Sequence, residues 1–362
     1  MVPGIGPASL AATEDGPLHP RRVQTRLTDG RLFGHKRYVT GVPGAERLLV
    51  LAVAALYGQF LWNPIVFDDL PFFMLDNAGN QPISNYHFAL FELRSLPYAT
   101  LAWTKEYLGL DLIYFRVGNL LLHAAVVLVL FFFLKKIISV IDGERNTAGL
   151  SPRQIAFCVT LIFALHPVAV YAAGYLVQRT IVMATLFCLL AMLAYLNGIV
   201  HSRKVWLWLS VPLYYLAVLC KEHVIMLPAV LLALTVLLHH DWRAQLRQRW
   251  GVFAAFALIA LFVVIAKQGV IGSVYEVNAP EMLSVEESHA GNLPDVAKGV
   301  ESKLSHLMSA LTQSWLFFKY LALWVLPNPN WMSVDMREPF AKSLLSPYLL
   351  SMIAYITWGL GG

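Results

Sequence analysis

Two adjacent carboxylates, Asp68 and Asp69, directly follow the apolar run 48–67. A run of about 20 apolar residues is long enough to cross the hydrocarbon core of a membrane, so the pair lies where a first spanning helix leaves the bilayer. Ionisable groups at such a point can act where a lipid-borne substrate meets water-soluble ones. The pair is therefore the first candidate for chemistry, and helix capping with interfacial solvation is the alternative role.

The composition predicts the class of protein that must hold this pair. Of the 362 residues 58% are hydrophobic and 14% are charged, which is too apolar for a soluble domain. Because lipid leaves backbone groups without partners, each long apolar run is predicted to be a helix, and the protein to be an all-α polytopic membrane protein. The predicted runs are 48–67, 112–134, 155–177, 180–200, 205–219, 224–238, 251–271, 307–326 and 344–360. Pro212 and the His166–Pro167 pair predict a bend or a break in two of them.

Basic residues predict the orientation, because they favour cytoplasmic loops. Residues 1–47 contain several arginines and lysines and are predicted to be a mobile cytoplasmic tail, which precedes a membrane domain over 48–362. Alternation of the helices then places the acidic segments 68–111 and 272–306 outside, the first of them carrying short amphipathic helices on the membrane surface. The formal net charge of +5 is assigned to cytoplasmic anchors and not to nucleic-acid binding.

Polar side chains gather at the predicted outer ends of the helices. Alone, each would be a snorkelling or ion-paired side chain. Their concentration on the side where Asp68 and Asp69 emerge predicts a shared site. In chain order they are Arg116, Asn119, His123, His166, Arg179, Lys221, Glu222 and His223.

Several short motifs occur in a characteristic order along the chain. They are Phe67-Asp68-Asp69, Leu93-Arg94-Ser95-Leu96-Pro97, Phe115-Arg116-Val117-Gly118-Asn119-Leu120-Leu121-Leu122-His123, Leu165-His166-Pro167, Gln178-Arg179 and Leu219-Cys220-Lys221-Glu222, followed by Ser333-Val334-Asp335. Over about residues 46 to 340 the chain resembles the membrane half of the transmembrane and tetratricopeptide-repeat O-mannosyltransferases and their bacterial relatives.

The resemblance implies an inverting glycosyltransferase with a GT-C type helical bundle, which takes a sugar from a polyprenyl-phosphate or dolichyl-phosphate donor. An acidic residue of the first outside loop then serves as base, and Asp68 or Asp69 is the candidate because a carboxylate can take the proton of an attacking hydroxyl. Mutual repulsion raises one pKa of the pair, or one member orients the other. No cofactor is expected for a monophosphate donor, while Mg²⁺ or Mn²⁺ held by Asp68 and Asp69 stays open as the alternative.

A departing lipid phosphate needs fixed cations, which arginine and lysine supply best. The donor-phosphate candidates are Arg179 and Lys221, and after them Arg94, His123 and His166. For each histidine, hydrogen bonding to a neighbouring helix is the alternative.

The candidates for contact with the sugar or the acceptor are Glu222, Asp335 and Tyr175. Glu222 is expected to pair with Lys221 or Arg179 rather than to act as a base. Asp335 reaches the outer side only if the run 307–326 re-enters the membrane instead of crossing it.

The function predicted from the sequence is transfer of a monosaccharide from a polyprenyl-phosphate donor to a hydroxyl of an exported protein, such as a pilin serine or threonine. The protein is expected in a bacterial inner membrane, with its N-terminus cytoplasmic and its active site on the periplasmic face. Tyr171 and Ile181 depart from the family pattern, so the resemblance implies no particular sugar. Expected partners are membrane lipid, the lipid-linked sugar, the exported acceptor and a partner subunit, with no nucleic acid. A transporter or flippase of lipid-linked sugars and a non-catalytic lipid-binding subunit are the alternatives.

Overall fold

The computed structural model of this protein describes residues 44–65, 67–73, 82–142, 150–268, 295–328, 338–339, 341 and 343–361. Three sequence-based predictions fall wholly or partly elsewhere. Most of the predicted tail, residues 272–294 of the second outside segment, and Asp335 lie outside the described residues.

Within the described ranges the regular secondary structure is helical, and no β-strand is present. This confirms the predicted all-α class. The α-helices are α1 (Ala45–Tyr57), α2 (Leu70–Phe73), α3 (Ser95–Leu108), α4 (Leu112–Asp142), α5 (Pro152–Ala164), α6 (Val170–Gly174), α7 (Arg179–His201), α8 (Lys204–Cys220), α9 (Leu227–Leu238), α10 (Trp242–Gln248), α11 (Trp250–Lys267), α12 (Asp295–Val325) and α13 (Tyr348–Gly361). Short 3₁₀ turns cover Gly58–Trp62, Phe67–Asp69, Pro82–Asn85, Pro167–Ala169, Leu176–Gln178 and Glu222–Met226.

Several of these helices are long and apolar enough to cross a membrane, as a polytopic protein requires. Among the described residues four pass on length and hydropathy, namely Ala45–Trp62, Leu112–Ile141, Leu176–His201 and Trp250–Lys267. The segments Pro152–Ala164 and Pro167–Gly174 form a fifth span if taken together, and Lys204–Cys220, Glu222–Leu238 and Tyr348–Gly359 are shorter apolar helices. The run 307–326 lies within α12, which begins at Asp295 and is not among the candidate spans.

The predicted break at His166 and Pro167 is present. The helix axis turns by 60° there, because proline cannot donate the backbone hydrogen bond that would continue α5. Helix α8, in contrast, runs on across Pro212. After the break, the short helix α6 ends at Gly174 and a new turn begins at Leu176, whose first amide groups have no helical partners.

Aromatic and small residues build the core where α7, α8, α9 and α11 meet. The ring of Tyr214 packs edge-on against Phe256 at a centroid distance of 5.5 Å. Helices α7 and α8 approach closely because Gly198 has no side chain, and a Cβ there would lie 2.9 Å from the backbone nitrogen of Leu207. A second core cluster joins α1, α4 and α5 around Leu49, Val127 and Phe131.

Polar contacts at the two ends of the bundle follow the predicted sides. At one end Arg153 pairs with Glu46 at 2.8 Å, and Lys136 donates to the ring of His201 at 2.8 Å. At the other end the C-terminal Lys267 of α11 reaches the turn at Glu222. The predicted outer turns therefore meet at one end, where the candidate site is built.

The described parts of the segment 68–111, which the sequence predicts to lie outside, are folded over this end. Phe72, Tyr86 and Tyr98 form an aromatic cluster with ring centroids 5.1 to 5.4 Å apart. Helix α3 buries Tyr98 and Leu101 and exposes Trp103 and Tyr107, so its outward side carries the aromatic residues that favour a membrane interface.

Candidate functional site

The two adjacent aspartates have different surroundings. The Asp69 side chain is fully buried, and its two carboxylate oxygens accept hydrogen bonds from the backbone N–H groups of Leu176 and Val177, each at 2.9 Å. These amides begin the short turn after α6 and have no helical acceptors of their own. Asp69 thus satisfies backbone groups that are left open where α6 ends at Gly174 and a new turn begins at Leu176.

Burial raises the pKa of Asp69 from 3.8 to about 6, because it removes water from the ionised form. The two amide hydrogen bonds and the positive charge of Arg116 act in the opposite direction, and the neighbouring Asp68 adds a smaller increase. The net effect leaves Asp69 ionised at neutral pH but at a cost in free energy.

Asp68 is exposed and lies beside the hydroxyl group of Tyr175. Its backbone N–H donates to the Tyr175 hydroxyl oxygen at 3.3 Å, and the same hydroxyl hydrogen bonds the Asp68 side chain. Of the two carboxylates, Asp68 is therefore the one that an incoming substrate can reach.

Asn119 hydrogen bonds to the segment Tyr175–Val177, whose backbone amides bind Asp69. Its fully buried side-chain amide donates to the carbonyl oxygens of Tyr175 and Leu176 at 3.3 and 3.4 Å. Its own oxygen accepts from Arg179 Nε at 2.7 Å. The sequence placed Asn119 on the correct face of its helix but assigned it no role.

Arg179 lies behind this segment and is engaged by the protein. Its guanidinium donates to Thr100 and Thr104 on α3, each at 3.3 Å, and to the carbonyl oxygen of Phe115 at 2.8 Å. Only 3% of the residue is exposed, and no ion pair among the described residues joins it to Asp68 or Asp69. The side chain thus ties α3, α4 and α7 together in this structure.

Arg116 shapes the chain just before the aspartates. It is 1% exposed and donates to the carbonyl oxygens of Leu61 and Pro64 at 3.2 and 3.0 Å. Its charge favours the ionised form of Asp69. One buried arginine therefore sets both the path of the chain and part of the local field.

A second polar cluster forms around Glu222. Arg94 donates to both carboxylate oxygens, at 3.1 Å from Nε and 2.5 Å from Nη2, and Lys267 lies 3.0 Å away. Burial acts to raise the pKa of Glu222, but the hydrogen bonds from Arg94, the backbone and Lys267 outweigh it and hold the pKa at about 2. Arg179, one of the two partners predicted for Glu222, is held elsewhere, and the structure shows Glu222 paired with Arg94 and Lys267.

The two clusters border on the same aromatic residues. Arg94 hydrogen bonds Tyr98, whose ring packs against Phe72 at 5.2 Å, three residues after Asp69. Arg94 itself begins α3 with a positive φ of 64°. The aromatic cluster thus contacts Arg94 of the Glu222 cluster and follows the aspartate pair closely in the chain.

The two histidines predicted to bind the donor phosphate, His166 and His123, make their contacts outside both clusters. His166 accepts from the Val168 N–H through Nδ1 at 3.3 Å, which leaves Nε2 as donor to the carbonyl oxygen of Trp324 at 2.9 Å. His123 is buried against the rings of Tyr57 and Phe163, at centroid distances of 5.4 and 6.2 Å. The structure therefore brings together Asp68, Asp69 and Tyr175, and separately Arg94 and Glu222 beside Lys221.

Metal-binding side chains do not converge in the part of the chain that is described. No group of three or more histidine, cysteine, aspartate or glutamate side chains occurs there. Both Asp69 oxygens already accept amide hydrogen bonds, which leaves Asp68 as the accessible carboxylate of the pair.

Gly118 provides a test of how tightly Arg179 is packed. A Cβ at position 118 would lie 2.8 Å from Arg179 Nη2, and the guanidinium cannot move away without breaking its buried hydrogen bonds. We expect Gly118→Ala to destabilise the protein by about 1 to 3 kcal/mol, measured as a lower Tm in detergent. Gly58→Ala is the matched control, since its Cβ meets open space. Equal Tm values for the two variants would contradict this packing.

The buried Asp69 carboxylate gives the stability a defined pH dependence. Its folded pKa of about 6 exceeds the ordinary 3.8, so the folded state binds the proton more tightly and loses this stabilisation as the pH rises between those values. The shift of about 2 units corresponds to about 3 kcal/mol. We expect the Tm of the wild type to fall relative to that of Asp69→Asn as the pH rises through this window. Above the window the difference between the two Tm values should stay constant.

Asp68→Asn is the control for this pH dependence. Asp69 keeps its burial and its two amide partners in this variant, so the fall in Tm with rising pH should persist. It should move to slightly lower pH, because Asp68 no longer adds to the pKa of Asp69. A constant difference for Asp69→Asn would mean that the carboxylate is not buried as described.

Known proteins resemble part of this chain. Over 251 residues it is 26% identical to the protein O-mannosyl-transferase TMTC4 of Mus musculus, a match that covers 61% of this chain and 31% of that protein. Over 168 residues it is 29% identical to the protein O-mannosyl-transferase TMTC1 of Homo sapiens, covering 42% of this chain and 18% of that protein.

The matched region thus spans less than a third of the length of these curated relatives. No protein-family model and no solved structure matches the chain. The matches nevertheless confirm the resemblance drawn from the ordered motifs: this chain is a membrane protein related in sequence to the protein O-mannosyltransferases.

Proposed function

We propose that this protein is a GT-C type glycosyltransferase that moves one monosaccharide, with inversion, from a polyprenyl-phosphate donor to a hydroxyl of an exported protein. The observation that carries the proposal is the division within the aspartate pair, in which Asp69 is buried on two amides while Asp68 is exposed beside Tyr175. The sequence relation to protein O-mannosyltransferases supports transfer to a protein hydroxyl.

Asp68 is the base in this proposal. The acceptor oxygen attacks the anomeric carbon, the bond from that carbon to the phosphate oxygen breaks with its electron pair leaving on the phosphate, and the hydroxyl proton passes to the Asp68 carboxylate. Asp69 cannot take this proton, because both of its oxygens are buried and face amide groups. Its task is to fix the turn that presents Asp68.

Asn119, Arg179 and Tyr175 are positioning residues for this base. Asn119 fixes the Tyr175 and Leu176 carbonyls, and Arg179 fixes Asn119. The Tyr175 hydroxyl then contacts Asp68 directly. We therefore assign Arg179 an indirect part in the reaction instead of contact with the donor phosphate.

The cations around Glu222 suit the departing phosphate. Arg94 and Lys267 share one carboxylate, and Lys221 precedes it in the chain, so this group carries an excess of positive charge. We propose that Arg94 and Lys221 bind the phosphate, with Lys267 as a further cation. His166 and His123 instead hold helices in place, and Asp335 remains a candidate for contact with the sugar.

An apolar surface next to these cations suits a lipid-linked donor. Leu90, Phe91 and Met226 are all more than half exposed, and the Phe91 ring meets Phe262 of α11 edge-on at 6.2 Å. A polyprenyl chain in the membrane can lie against this surface while its phosphate reaches Arg94. We place the protein in a bacterial inner membrane with this end on the periplasmic face and with a pilin or another secreted protein as acceptor.

Replacing Asp68 tests the reaction. Intact-mass spectrometry of exported proteins is carried out on cells without the gene and on the same cells expressing the wild type or Asp68→Asn. We expect the wild type to add a mass equal to one monosaccharide, and Asp68→Asn to reduce this addition by about 100-fold or more because the base is lost. Immunoblotting of membranes should show equal amounts of both proteins.

Glu106→Gln is the matched control, because Glu106 is an exposed carboxylate of the same outside segment. It should leave glycosylation unchanged. Full glycosylation with Asp68→Asn would reject the base, and no mass difference between cells with and without the gene would reject the transferase.

Transfer without a metal ion is the second expectation. The proposed phosphate ligands are already cationic, and only one carboxylate of the pair is accessible. Purified protein assayed with lipid-linked sugar and acceptor should therefore keep its rate in the presence of EDTA. Loss of activity that added Mg²⁺ or Mn²⁺ restores would instead assign a metal to Asp68 and Asp69.

A further inference from the structure

The segment 239–250 joins α9 to α11 at the end of the bundle opposite to Asp68. Helix α11 ends with Lys267 beside Glu222, so its first residue, Trp250, lies at the far end. The joining segment carries Arg243, Arg247 and Arg249 and a single acidic residue, Asp241. It is therefore a basic element between two apolar helices.

A cavity of about 650 Å³ lies in this segment. Its lining residues are His240, Asp241, Trp242, Arg243, Ala244 and Arg247. Arg243 and Arg247 are one helical turn apart and both are exposed, so they present two guanidinium groups on the same face. The Arg243 guanidinium lies 5.1 Å from the centre of the Trp242 ring, which restrains it.

The two arginines of this cavity outnumber its one acidic residue, Asp241. In the ranges that the structure describes, neither Arg243 nor Arg247 forms an ion pair. Arg249 does not line the cavity and interacts instead with His239 and Tyr195. An anion of suitable size could therefore accept hydrogen bonds from both guanidinium groups, with Asp241 as the one acidic side chain in the cavity.

The helices that flank this segment in the chain, α9 and α11, expose apolar side chains. Helix α9 exposes Val236 and Leu237 in its last turn, and α11 exposes Leu258 and Leu261 further along. Trp250 is 71% exposed at the junction, as is typical of a side chain at the boundary between headgroups and acyl chains. A ligand that fits both parts has an anionic head and long apolar chains.

We propose that this cavity binds the headgroup of an anionic phospholipid, with Arg243 and Arg247 on its phosphate and the acyl chains along α9 and α11. Charge complementarity and the exposed apolar side chains of the flanking helices favour a lipid over a soluble anion. The site is separate from the proposed transferase site, and its occupant is a resident lipid and not the sugar donor.

Lipid titration of the purified protein, followed by native mass spectrometry, tests this site without any transfer assay. The wild type should bind phosphatidylglycerol more tightly than phosphatidylcholine. The double variant Arg243→Gln/Arg247→Gln should weaken phosphatidylglycerol binding by about 30-fold, since each basic residue near an anionic surface contributes about a factor of 5.

Arg203→Gln/Lys204→Gln is the matched control, because it removes two exposed positive charges from the turn between α7 and α8. It should leave the lipid preference intact. Equal losses in both double variants would mean that bulk charge alone attracts the lipid, and would overturn the site. Displacement of phosphatidylglycerol by equimolar inorganic phosphate would overturn the lipid in favour of a free anion.

Asp241→Asn gives a test that misfolding cannot imitate. Removing the one acidic side chain of the cavity should tighten phosphatidylglycerol binding, because it removes repulsion of the headgroup. Unchanged or weaker binding in this variant would contradict the proposal.

Discussion

The carboxylate of Asp69 and the backbone amides of Leu176 and Val177 form the contact on which the described site depends. Each partner would be costly to bury alone, since an ionised carboxylate loses its water and the two amides lose their acceptors. Together they satisfy each other at 2.9 Å in a place without solvent. The contact joins the first outside turn to the chain beyond the broken helix, 107 residues later.

Other features of this end of the bundle serve the same contact. The end of α6 at Gly174 leaves the amides open, and Asn119 and Arg179 hold their segment from behind. Arg116 holds the chain that leads to the aspartates. Because these groups are buried and share partners, we regard them as one unit whose effects will not be additive. Asp68 lies at the exposed edge of this unit, while Asp69 bears the free-energy cost of burying a carboxylate.

The sequence predicts the helices and the bend well, because apolar run length and proline act locally. It also predicts which end carries the polar groups, since each lies at the limit of an apolar run. It cannot divide the roles of Asp68 and Asp69, because that division depends on amides more than a hundred residues away. Nor does the position of an arginine on a helix face predict its hydrogen-bond partners. Arg179 points inward because it donates to Thr100, Thr104 and the Phe115 carbonyl group. Lys267 was missed because a lysine at the end of an apolar helix looks like a simple anchor.

Arg116 has a consequence for how this chain can vary. Its hydrogen bonds to the carbonyl groups of Leu61 and Pro64 fix the position of the chain at the start of the short connector to Asp68. Only three residues separate Pro64 from Asp68, so the slack is small. Insertion of one residue in this connector would bring Asp68 to the buried place and Phe67 to the exposed one. Deletion of one residue would bring Asp69 to the exposed place and Leu70 to the buried one, even though both acids would still be there.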